Sequence, residues 1–134
     1  MDLQILKIAS NTENHKTVQN HTHLSKNKNP ICGDEMEISL LIKNDYIEDI
    51  GYQCKSCVYC QASASLLSRK IKNKKVKQIE DLIYSIESLF ENTEAKIDNT
   101  WKDFKKLFNK KNISRKNCLL LPFRTTSKAL NQKK

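Results

Sequence analysis

The run from residue 35 to residue 53 reads as a hairpin, and it constrains the fold more than any other stretch. Met36, Ile38, Leu40 and Ile42 alternate with Glu35, Glu37 and Ser39. That period of two puts the apolar side chains on one face of a half-buried strand. Asn44-Asp45 is a hairpin turn signal, and residues 46–53 return as the second strand. Antiparallel pairing then carries Cys32-Gly33-Asp34, ahead of the first strand, to the same end as the segment from Cys54 to Cys57, just after the second. Residues far apart in the chain become neighbours by topology alone.

Helices account for most of the rest. Residues 2–9 read as a short helix, and residues 10–28 are polar and poorly patterned. His21 and His23 fall in that polar stretch, where an H-x-H pair could bind metal. No companion His or Cys stands at a suitable spacing, so they read as solvent-facing residues of a loop or edge strand. Ala64, Leu67 and Ile71 recur at helical spacing over 61–72. Ile79, Leu82, Ile83, Ile86, Leu89 and Phe90 form the cleanest amphipathic stripe, and Ile97, Trp101, Phe104, Leu107 and Phe108 form another. Both stripes read as core. A last helix is expected just after Cys118, with Pro122 in its first turn. The expected class is α+β: a small antiparallel sheet, hairpin plus edge strand, packed against four to five helices. At 134 residues the chain is expected to be one domain, 1–134.

Five cysteines accompany only two glycines and two prolines. Cys54, Cys57 and Cys60 are spaced C-x2-C-x2-C, Cys32 lies two residues from Asp34, and Cys118 stands near the end. Soft thiolates with one hard oxygen donor suit zinc or iron, and an Asp in the shell eases exchange of the metal. The small residues Ala62-Ser63-Ala64-Ser65 permit close packing at a helix start beside Cys57 and Cys60. A helix N-terminus favours anions, so it should lower the pKa of these two thiols.

Three motifs occur in order: Asn29-Pro30-Ile31-Cys32-Gly33-Asp34, then Cys57 with Ala62-Ser63-Ala64-Ser65, then Arg115-x-x-Cys118 with Leu121-Pro122-Phe123. Together they resemble the NifU/IscU/SufU family of iron–sulfur cluster assembly scaffolds, over residues 29–130. The ending is similar to that of SufU-like members, as is the 61-residue step from Cys57 to Cys118. Two departures mark the chain as divergent. Family members usually carry glycine where Cys54 and Ser56 stand here, and IscU-type proteins have His where Asn117 stands. The resemblance implies a ligand set of Cys32, Asp34, Cys57 and Cys118, with Cys32 or Cys118 accepting sulfur from a cysteine desulfurase. It also implies iron, a transient 2Fe–2S or related cluster passed to apo-proteins, and zinc as a possible resting metal. Cys54 and Cys60 are open candidates as extra ligands, with small buried packing residues as their alternative role. Donors sharing one tetrahedral zinc, with Zn–S near 2.3 Å, should lie roughly 3.5–4 Å apart, and somewhat wider without metal.

Charge and composition narrow the alternatives. Of the 24 basic residues only Arg69, Arg115 and Arg124 are arginine, which weakens a nucleic-acid reading of the net charge of +9. The lysines suit a solvated face first and a docking surface for an acidic protein second. No apolar run reaches the roughly 18–20 residues of a membrane span. The N-terminus lacks the basic and apolar regions of a secretion signal. An odd cysteine count without such a signal favours reduced thiols in the cytoplasm. A second function class is a small protein keeping a stable iron–sulfur or zinc site on Cys54, Cys57 and Cys60, as in the bacterial ferredoxin run, although Ala64 stands where the next cysteine belongs. A zinc-binding nucleic-acid module lacks the second close C-x2-C or H-x3-H pair.

Overall fold

A computed structural model describes residues 3–30, 33–89 and 97–132. Three strands, β1 (His23–Lys28), β2 (Glu35–Lys43) and β3 (Tyr46–Lys55), form an antiparallel sheet in the order β1-β2-β3. The helices are α1 (Leu3–Ala9), α2 (Val58–Ile71), α3 (Val76–Leu89) and α4 (Lys116–Leu130). Two 3-10 segments, Asn99–Lys106 and Lys110–Arg115, lead into α4. This is the α+β class expected, with β1 as the edge strand beside the hairpin.

Asn44 and Asp45 both take left-handed backbone, with φ of 52° and 66°, and turn β2 directly into β3. Positive φ at both central residues matches the right-handed twist of the paired strands. Met36, Ile38 and Leu40 point inward from β2, and Ile47, Ile50 and Tyr52 are buried from β3. A register shift between Leu41 and Ile42 lets Ile47 and Ile50, three residues apart, both reach the core. Ser39, expected on the polar face, is fully buried there: it donates to the Gly51 carbonyl and accepts from the Val18 N–H at 2.9 Å. The polar stretch after α1 crosses this outer face.

Each outer edge of the sheet is capped at particular positions. Tyr52 N–H donates to the Asn14 carbonyl at 3.0 Å, and Ile47 N–H to that of Lys74 at 2.9 Å, along β3. On β1 the Gln132 amide takes the Leu24 N–H at 3.2 Å and donates back to the Leu24 carbonyl. Such contacts interrupt the row of outward backbone groups on which sheets aggregate.

Gly51 makes the crossing possible. A Cβ there would lie 2.3 Å from the Lys16 carbonyl oxygen, a backbone atom that cannot swing aside. Gly51→Ala should therefore destabilise the fold by about 1–3 kcal/mol, in the range of overpacking changes. A urea midpoint unchanged from the parent would show that the 14–16 segment does not sit on β3.

Two helical expectations need correction. The apolar stripe around Phe104 predicts an α-helix, but the chain winds as 3-10 turns. Trp101, Phe104 and Leu107 are spaced by three, and a three-residue turn keeps all of them on the buried side. Phe90, assigned to the preceding stripe, lies outside the described residues. The last helix starts two residues before Cys118, so Pro122 sits inside α4 rather than in its first turn. Proline there removes the N–H that would reach the Cys118 carbonyl. Just beyond it, the Thr125 and Thr126 hydroxyls donate to the Leu121 and Pro122 carbonyls at 2.7 and 2.8 Å.

The core lies between the inner face of the sheet and helices α2, α3 and α4. Phe104, Phe108 and Phe123 form a ring cluster in it, with centroids 5.2–6.4 Å apart in edge-to-face pairs.

Candidate metal centre

The hairpin delivers two parts of the site. Glu35 pairs with Lys55, so Asp34 precedes β2 at the end where β3 runs into α2. Cys57 caps α2, and its carbonyl accepts the Gln61 N–H at 3.1 Å. Gly33, with φ of 77°, donates to the Asn29 carbonyl, and Asn29 N–H donates to that of Asp34, both at 2.8 Å. Left-handed backbone suits glycine here, and the two bonds fix the approach to Asp34.

Helix packing delivers the third part. Ala62, Ser63, Ala64 and Ser65 are all buried, and they let α2 lie close to its neighbours. Ser63 donates to the Leu119 carbonyl at 2.6 Å, and Ser65 to the Asn11 carbonyl at 2.7 Å. The first bond ties α2 to α4 one residue from Cys118. Arg115, the N-cap of α4, places its guanidinium 5.2 Å from the centroid of Tyr59, in the first turn of α2. Tyr59 escaped notice in the sequence, because nothing in its spacing distinguishes it from a surface aromatic. Cys118 occupies the first turn of α4, as Cys57 caps α2, so two helix starts face one point.

There the Asp34 carboxylate and the sulfurs of Cys57 and Cys118 lie within 4.8 Å of one another. Asp34 and Cys118 are buried and Cys57 is half-buried. Asp34 is only 8% exposed, and its Oδ2 is buried without a hydrogen-bond partner. Burying a carboxylate oxygen unpaired is costly, and a coordinated cation removes that cost. Two thiolates and a carboxylate are donors that zinc and iron both accept. The three residues thus fit a metal. Cys32 lies outside the described residues, two positions before Asp34.

The other two thiols stand apart from this group. Cys54 lies in β3, which extends past residue 53, and is half-buried. Cys60 lies inside α2, which starts at Val58 rather than near 61, and is fully buried in the core. The expectation that the helix start lowers the Cys60 pKa fails. Burial pushes that thiol well above its ordinary range, and the charges of Cys54, Asp34 and Cys57 push it further. Burial raises Cys54 as well, with Asp34 and Cys57 adding to the rise. Native protein treated with an alkylating reagent should therefore leave Cys60 unmodified until it is unfolded, as mass spectrometry of its peptides would register. Rapid labelling of Cys60 in the folded state would contradict its burial. No shift toward acid makes it a thiolate at neutral pH.

His23 opens β1 and its Nδ1 lies 2.8 Å from the Thr22 hydroxyl. Neither His21 nor His23 joins a group of potential metal donors among the described residues. Among those residues, too, no helix is long and apolar enough to cross a membrane.

Comparison with known proteins places this geometry in context. The family model for the NifU-like N terminal domain matches residues 3–101, which include Asp34 and Cys57 and stop short of Cys118. The iron–sulfur cluster assembly scaffold protein IscU of Thermotoga maritima is 28% identical over 133 residues, covering 96% of this chain and 90% of that protein. The zinc-dependent sulfurtransferase SufU of Bacillus subtilis is 31% identical over 61 residues, or 46% of this chain and 42% of that one. In fold, the chain superposes with a TM-score of 0.88 on a crystallised candidate scaffold protein for the SUF system from Fervidobacterium islandicum. That pair is 24% identical, with 98% of this chain and 96% of the other covered. The matched domain, over most of the chain, and the Asp34 and Cys57 positions within it make this chain a member of the NifU-like N-terminal domain family.

Proposed function

We propose that this chain is an iron–sulfur cluster assembly scaffold, acting as a single domain in the cytoplasm. The observation that carries this reading is the meeting of Asp34, Cys57 and Cys118, with a carboxylate oxygen left unpaired in a buried position. The names of the Thermotoga maritima and Bacillus subtilis relatives support it, and the unbridged thiols of Cys54, Cys57 and Cys60 suit a reducing compartment.

In this reading the cluster is cargo, and Cys32, Asp34, Cys57 and Cys118 hold it. A cysteine desulfurase presents a persulfide, and the thiolate of Cys32 or Cys118 attacks its outer sulfur. The S–S bond of the donor breaks, the desulfurase cysteine leaves as thiolate, and the scaffold cysteine gains a persulfide. Ferrous iron and electrons from a reductant complete a 2Fe–2S or related cluster, which then passes to an apo-protein. The role is that of a carrier consumed and regenerated with each cluster. Zinc, held by the same residues at rest, would keep the thiols deprotonated and turn the protein toward sulfur transfer.

Asp34 is the exit. A carboxylate holds iron less firmly than a thiolate does, so this bond opens first. Incubated anaerobically with ferrous iron, cysteine and a cysteine desulfurase, parent and Asp34→Ala proteins should both gain cluster absorbance. The variant should then lose it several-fold more slowly when an apo-acceptor is added. Equal release rates would reduce Asp34 to a turn residue, and absence of absorbance from both would remove the scaffold reading.

A stable site on Cys54, Cys57 and Cys60 is disfavoured by the burial of Cys60 in the core. Using that thiol would require breaking the packing of α2.

A further inference from the structure

The cluster of donors at the hairpin end has a neighbour that the proposed ligand set leaves unused. Cys54 pairs directly with Met36 in the β2–β3 register, and opposed residues share a face of the sheet. Strand alternation puts Asp34, two residues before Met36, on that same face. Diagonal neighbours of this kind stand roughly 7–8 Å apart at the backbone, within reach of side chains that lean together. Cys54 lies outside the group of donors within 4.8 Å of one another, and the register places its strand position diagonal to Asp34. Unlike Cys60, Cys54 is half-buried rather than sealed in the core. The oxygen it would replace is the buried Asp34 Oδ2 that lacks a partner.

We infer that Cys54 is a reserve ligand, exchanging with Asp34 so that a thiophilic divalent cation is held by the thiolates of Cys54, Cys57 and Cys118. This rests on the proposed site at Asp34, Cys57 and Cys118. Exchange replaces one metal–oxygen bond by one metal–sulfur bond; the Cys54 proton passes to solvent and the Asp34 carboxylate is released. Zinc, cadmium and cobalt(II) favour the sulfur-rich set, whereas harder cations gain nothing from it. The site would then hold zinc-like ions more firmly than an Asp-only design and still offer an oxygen donor when cargo must leave.

Cobalt(II) reads the exchange directly, because its sulfur-to-metal charge-transfer absorbance rises with the number of thiolates bound. Titrations would compare the parent with Cys54→Ser, Asp34→Ala and the double variant. Asp34→Ala should keep tight binding with charge-transfer absorbance per ion at least equal to the parent. The double variant should lose affinity about tenfold beyond the product of the two single losses, because each donor stands in for the other. Losses that simply multiply would overturn the inference, as would lower absorbance in Asp34→Ala. Cys54→Ala repeats the comparison if serine is not tolerated, and the urea midpoint of each apo-protein checks that it is folded. Cys57→Ser separates the two ideas: undiminished cobalt binding in that variant would sink the underlying site itself.

Discussion

Cys57→Ser is expected to abolish cluster binding. It removes one of the two described thiolates and leaves Asp34 Oδ2 and Cys118 facing a weak neutral donor. Changing residues that merely orient a metal ligand costs roughly 10–100-fold in affinity, and losing a thiolate ligand itself should cost at least the upper end of that range. Reconstituted Cys57→Ser should accordingly show almost no cluster absorbance after desalting, and Cys118→Ser should behave alike. Cys60→Ala serves as the contrast, because its sulfur lies in the core and outside the donor group. That variant should lose stability and keep binding. Retention of cluster by Cys57→Ser would remove Cys57 from the ligands altogether, whereas loss of cluster in folded Cys60→Ala would move the site to the C-x2-C-x2-C run.

Phe123→Ala should give the largest loss of stability of any single change considered. Phe123 is fully buried five residues after Cys118, and its ring meets those of Phe104 and Phe108 at 5.5 and 5.2 Å. Truncating a core phenylalanine costs about 3–5 kcal/mol, a large share of the roughly 5–15 kcal/mol that holds a typical domain folded. Urea denaturation should show a much lower midpoint, and cluster binding should weaken with it because α4 carries Cys118. Tyr84→Ala, at a side chain 78% exposed, should change stability by no more than about 0.5 kcal/mol. Similar midpoints for the two variants would mean that the aromatic cluster does not anchor α4.

The hairpin was legible because alternation and turn chemistry agree. Met36, Ile38 and Leu40 mark one face, and Asn44-Asp45 fits the positive φ that a tight turn requires. From that agreement the approach of Asp34 to Cys57 follows without further information. Cys118 was harder: its place depends on α2 packing against α4 through Ser63 and Leu119, a contact between segments 56 residues apart. Motif resemblance supplied it where pattern could not. The 3-10 turns escaped because apolar residues at three and four apart fit either winding, and the choice is made by packing around Phe104. The pKa of Cys60 departs from expectation for a related reason. A helix start and burial act on a thiol in opposite directions, and its zero exposure decides for burial. Ser39 illustrates the same limit, since alternation marks the second face of a strand without telling what crosses it.

In the proposed function, the site at Asp34, Cys57 and Cys118 holds its cluster only in passing. Anaerobic reconstitution with ferrous iron and sulfide, followed by mixing with an apo-ferredoxin, measures this directly. Cluster absorbance should leave this protein within minutes and appear in the acceptor in matching amount, even with a chelator present to intercept free iron. A cluster that stays on this protein while the acceptor remains empty would contradict the proposed function.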